Sequence, residues 1–106
     1  MTQTTKHILE ALRSRLEGIY GERLTAMVLF GSHARSDADA ESDIDVLVVL
    51  EPPVDPSEEI ARTGETVASL CLENDVVIAC VFVDTRSYET RQWPLLRNVR
   101  SEGVPV

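Results

Sequence analysis

A chain of 106 residues, 43% hydrophobic and 26% charged, has the composition of a globular protein and the length for one core. Its formal net charge of −8 argues against broad nucleic-acid binding, which needs a basic face toward the phosphates. No apolar run approaches the roughly 18 residues of a membrane span, and the opening Met1-Thr2-Gln3-Thr4-Thr5-Lys6-His7 lacks the apolar stretch of a signal peptide. A cytoplasmic protein with no membrane contact is expected, folded as one domain over residues 1–106.

The charge is uneven. Residues 84–106 carry four Arg against three acids, which leaves −9 on residues 1–83. An acidic body with a mildly basic tail suits a protein partner, and equally suits simple solvation. Cys71 and Cys80 lie in apolar segments with no metal-ligand spacing to His7 or His33. They are expected to be buried, reduced thiols.

In chain order, residues 4–17 set Ile8, Leu9, Leu12 and Leu16 at helical spacing, with Gly18 and Gly21 at the exit. Leu24 to Phe30 reads as a buried strand closed by Gly31. A short helix over 32–36 follows, with Ser32 in its first turn, and then a polar loop from Asp37 to Ser42. Ile44 to Leu50 is a second buried strand. Glu51-Pro-Pro-Val-Asp-Pro breaks the chain. A helix then starts with Asp55 as N-cap and Pro56 in the first turn, with Glu58 and Glu59 favouring its N-terminus. It is expected to run to about Glu73 and to bury Ile60, Val67, Leu70 and Cys71. Asp75 to Val83 reads as a third strand. Thr85 onward is helical, interrupted before Pro94, with Leu95, Leu96 and Val99 on one face of a last helix. Trp93, with Leu95 and Leu96, fits a core or an interface equally well. The order α-β-β-α-β-α implies an α+β fold, a small mixed sheet covered by helices.

The chemistry gathers between the first two strands. Asp43 and Asp45 stand one residue apart at the opening of a strand, so their side chains share a face, roughly 6.5–7 Å apart at about 3.3 Å rise per residue. Two acids that close repel unless a cation lies between them. Hard divalent ions with oxygen ligands, Mg2+ above all, suit such a pair and bring a substrate phosphate with them. The Gly31-Ser32 turn offers outward amides and a hydroxyl, which attract phosphate. Arg35 can pair with phosphate, or can lock the loop onto Asp37 or Asp43. His33 reads as exposed loop filler, and Asp37, Asp39 and Glu41 as a solvated acidic loop. A phosphate cradle beside a carboxylate pair is the layout of metal-assisted phosphoryl or nucleotidyl transfer.

Gly31-Ser32-His33-Ala34-Arg35 followed by Ser42-Asp43-Ile44-Asp45 resembles the signature of the nucleotidyltransferase superfamily related to DNA polymerase beta. The short length resembles its minimal members, the MNT proteins, often encoded beside HEPN-domain proteins as toxin–antitoxin pairs. The likeness covers roughly residues 24–83, and Pro94-Leu95-Leu96-Arg97-Asn98-Val99-Arg100 is similar to endings of small members. The resemblance implies the nucleotidyltransferase fold, with Gly31 and Ser32 on the triphosphate of ATP and Asp43 and Asp45 on Mg2+. The family's third carboxylate comes from a later strand. Asp75 is the candidate, either as that ligand or as a turn residue after Asn74; in another register the matching position is Val77 or Ala79, with no acid. Ser36 departs from the Gly that many members carry after the Arg. The resemblance implies a HEPN partner in a hetero-oligomer, silenced by transfer of AMP to one of its tyrosines. A non-catalytic antitoxin that acts by occlusion is the alternative, and more distantly a small-molecule nucleotidylating enzyme.

Overall fold

The computed structural model describes residues 2–35, 38–39 and 42–106. Helix α1 (Gln3–Tyr20) starts where the Thr2 hydroxyl accepts the Thr5 N–H at 3.1 Å and ends at Gly21. A 3-10 turn (Gly21–Arg23) leads into strand β1 (Leu24–Phe30). Helix α2 (Ser32–Arg35), strand β2 (Ile44–Leu50) and helix α3 (Pro56–Asn74) follow. Strand β3 (Ile78–Asp84), helices α4 (Thr85–Thr90) and α5 (Pro94–Glu102), and the short strand β4 (Val104–Pro105) complete the order.

The sheet runs β3-β2-β1-β4. β1 pairs antiparallel with β2 and with β4, and β2 pairs parallel with β3, so the sheet is mixed as expected. Alternation along β2 divides its side chains between two cores. Ile44, Val46, Val48 and Leu50 meet Ile8, Leu9, Leu12 and Leu16 of α1 and Leu70 of α3. Leu47 and Val49 turn the other way, to Leu96 and Val99 of α5. Both faces of β2 are covered beyond Asp45, which is why Val46 to Leu50 is an unbroken apolar run rather than an alternating one. No helix among the described residues is long and apolar enough to cross a membrane.

The structure departs from the expectations at several points. The third strand begins at Ile78 rather than Asp75, because residues 75–77 are spent leaving α3. Asp75 takes the left-handed conformation (φ 53°, ψ 49°), and the Val76 N–H bonds the Cys71 carbonyl at 3.1 Å. Ile60 is 57% exposed, because the inward stripe of α3 runs Glu59, Thr63, Val67, Leu70 and leaves Ile60 a quarter-turn off it. Trp93 ends half-exposed and Leu95, expected on one face with Leu96 and Val99, is exposed as well; only Leu96 and Val99, one turn apart, enter the core. β4 is too short for a sequence pattern to reveal. Ser36, Asp37 and Glu41, part of the expected short helix and acidic loop, lie outside the described residues.

Candidate functional site

The antiparallel register sets Phe30 opposite Asp45, which brings Gly31 against the Asp45 side chain. Gly31 has φ +74°, a backbone that side-chain-bearing residues avoid. A Cβ placed there would overlap the Asp45 carboxylate. The glycine therefore serves two needs at once, the turn and the close approach of an acid. Its carbonyl accepts the N–H groups of Ala34 (3.1 Å) and Arg35 (3.2 Å), which starts α2 with Ser32 half-buried in its first turn.

Asp45 is half-buried and Asp43 exposed. Pairing begins at Ile44, whose N–H donates to the Val77 carbonyl at 2.9 Å, so Asp43 stands just ahead of the ladder. Burial, and then the negative charge of Asp43, push the Asp45 carboxyl above its usual range, while the charges of His33 and Arg35 oppose the rise. Asp45 shares its sheet face with Leu47 and Val49, so the acid opens on the side that α5 covers.

The loop before Asp43 is tied down by its own residues. Ser42 Oγ donates to Asp39 Oδ1 (3.2 Å) and accepts the Asp39 N–H (3.1 Å). His33 Nε2 lies 3.1 Å from the Ser42 carbonyl, a bond that requires the proton on Nε2. His33 is therefore a half-buried tie between α2 and the residue preceding Asp43, rather than the exposed filler expected. Arg35 reaches Glu102 at the end of α5, Nη1 to Oε2 3.4 Å. Asp43 was one expected partner; the other, Asp37, lies outside the described residues. Glu102 carried no local signal in the sequence, since 67 residues separate it from Arg35.

Asp75 is not brought to the pair. Across from Asp45 in the parallel register stands Ala79, and Val77 supplies the carbonyl bonded by Ile44, so the acid-free register is the one adopted. Exposed at the end of α3, Asp75 lines a cleft of about 710 Å³ together with Ile8, His33, Ser42, Ile44 and Val76. Ile44 and Asp45 point to opposite sides of β2, so this cleft and the carboxylate open on different faces. Among the described residues no three of His, Cys, Asp or Glu group closely enough to hold a metal ion.

Residues 6–104 match the family model described as the nucleotidyltransferase domain. A Methanocaldococcus jannaschii protein named as a candidate protein adenylyltransferase is 32% identical over 99 residues, 92% of this chain and 89% of that one. Among solved structures, a toxin–antitoxin with AMP-PNP superposes with TM-score 0.65 at 21% identity, over 98% of this chain and 72% of the other. A complex of a tri-AMPylated Shewanella oneidensis HEPN toxin with its MNT antitoxin gives TM-score 0.55 at 21% identity, over 96% and 67%. With its mixed sheet, Gly-Ser turn and strand-mouth carboxylates, the chain belongs to the nucleotidyltransferase domain family.

Proposed function

We propose that the chain is a Mg2+-dependent nucleotidyltransferase that moves AMP from ATP to a hydroxyl of a HEPN-domain partner, and so acts as an antitoxin. The observation that carries this reading is the approach of the Asp45 carboxylate to a glycine that leaves room for it, beside a second acid. Neither the Asp43 nor the Asp45 carboxylate accepts a hydrogen bond from any described residue. A half-buried acid without donors, raised by burial and then by a neighbouring acid, is the donor set a hard divalent cation relieves. Mg2+ is commonly held by one or two carboxylates with substrate phosphates completing its shell, so a pair suffices. The ion, when bound, would offset charge on the phosphate oxygens.

Around it, Gly31 and Ser32 would receive the triphosphate and Arg35 would add a guanidinium to it. The acceptor oxygen attacks the α-phosphorus and gives up its proton to solvent, the bond from that phosphorus to the β-phosphate oxygen breaks, and pyrophosphate leaves. No role is assigned to Asp75, given its place at the end of α3. The adenylyltransferase name of the archaeal relative and the HEPN complexes among the structural neighbours support the nucleotide and the partner.

The test is transfer from ATP labelled on its α-phosphate, with Mg2+, in lysate of the native host and onto any HEPN-domain protein that the chain binds there. Label should appear on the partner and vanish with Asp43→Ala/Asp45→Ala. Label that persists in that variant sinks the reading. Silencing of the partner by the variant as well as by the wild type, with no label in either, would establish the occluding antitoxin instead.

A further inference from the structure

The end of α5 is brought to the Gly31–Ser32 turn by restraints that have nothing to do with a ligand. Gly103 N–H closes the helix on the Val99 carbonyl at 2.8 Å. A Cβ on Gly103 would collide with Val28 Cγ1 and the Val99 carbonyl, so only glycine lets the helix end press this closely on β1. β4 then pairs Val104 with Leu29 and Pro105 with Val28, and Val106 N–H donates to the Met27 carbonyl at 3.0 Å. Leu29 is two residues before Gly31. Glu102 is thereby set beside α2, with Oε2 3.4 Å from Arg35 Nη1.

We propose that Glu102 is a positioning residue, holding the Arg35 guanidinium over the Gly31–Ser32 turn so that it meets a triphosphate already oriented. This rests on the nucleotide reading above. Both side chains are about half-exposed, and an exposed pair of this kind adds little to stability. Its consequence lies instead in where it puts the guanidinium. A free arginine loses rotamer freedom when it engages a phosphate, and a carboxylate that orders it beforehand removes part of that cost from binding. A guanidinium can bridge a carboxylate and a phosphate at once, because its five N–H donors fan out in a planar fork.

The test is calorimetric titration of Mg2+-ATP into the full chain, for the wild type, Arg35→Ala, Glu102→Ala, Glu102→Gln and the Arg35→Ala/Glu102→Ala double variant. Glu102→Ala should weaken binding by about two- to fivefold with no change in melting temperature. Glu102→Gln, which keeps an acceptor in place, should recover part of the loss. The double variant should bind no more weakly than Arg35→Ala alone, because Glu102 acts only through Arg35. Additive losses, tighter binding by Glu102→Ala, or unchanged binding in either single alanine variant would each overturn the proposal. Failure of the wild type to bind Mg2+-ATP would overturn the nucleotide reading itself and this inference with it, whereas the other outcomes leave that reading standing.

Discussion

Glu59 and Asp45 are both withdrawn from water, and they are treated in opposite ways. Glu59, on the inward stripe of α3, is 2% exposed. Its Oε1 accepts the Tyr20 hydroxyl at 2.8 Å and Arg62 Nη1 at 2.8 Å. Arg23 and Arg62 also stack on the Tyr20 ring, 5.6 and 5.9 Å from its centroid. Burial, and then the bond to Glu59, push the Tyr20 hydroxyl pKa upward, so the phenol stays a donor. Asp45 is half-buried with no donor among the described residues and with a like charge beside it. An acid that is fully partnered holds α1 to α3; an acid left without donors is available to a cation. The difference separates a structural carboxylate from a candidate metal ligand more sharply than depth of burial does.

The comparison can be broken by exchanging the roles. Asp43→Ala/Asp45→Ala should cut nucleotidyl transfer by at least about 100-fold, the scale of several kcal/mol of lost charge stabilisation. The same variant should melt no lower than wild type, since it removes a repulsion rather than a bond. Mg2+ should raise the wild-type melting temperature and leave the variant's unchanged. Glu59→Ala should do the reverse, costing about 1–3 kcal/mol for a buried hydroxyl left without its acceptor. At about 4–8 °C per kcal/mol for a small domain, thermal melting would show it plainly, while kcat stays near wild type. Gly31→Ala touches both sides, because about 1–2 kcal/mol of left-handed strain comes with displacement of Asp45. Its melting temperature should fall and its transfer activity should fall further. A Gly31→Ala protein with full activity would mean that the close approach of Asp45 serves no purpose.

What could be read in the sequence follows the range of the forces involved. The turn at Gly31-Ser32 and the alternation through Asp43-Ile44-Asp45 are local, set by backbone conformations within a few residues, and both strands fall where their apolar runs place them. The mixed sheet was legible from element order for the same reason. Asp75 was not, because three residues between α3 and β3 decide whether an acid enters the ladder, and the left-handed helix exit takes it out. Glu59 was hidden by helix phase, since an acid beside Ile60 looks outward unless Thr63, Val67 and Leu70 are counted with it. Glu102 depends on β4 pairing with β1 across the whole chain, which no local pattern encodes. Cys71 and Cys80 are free thiols, half-buried rather than buried as expected, and burial pushes the Cys80 pKa up to about 12, which keeps it protonated.

The finest probe of the comparison is pH. Asp45 is raised by burial first and by Asp43 second, so the folded protein binds this proton more tightly than the unfolded chain. Between the ordinary aspartate value of about 3.9 and the raised one, the folded state carries the extra proton, and stability falls as pH climbs. Above the raised value the whole cost of the buried charge is present; below the ordinary value it is gone. Asp45→Asn removes that dependence while the other carboxylates cancel between the two proteins. The melting difference, variant minus wild type, should therefore be near zero at the acid end and grow positive through the window. At neutral pH, Mg2+ should shrink it again by compensating the wild-type charge. A variant no more stable than wild type at neutral pH would mean that the Asp45 charge is already satisfied within the fold, and Asp45 would then belong with Glu59.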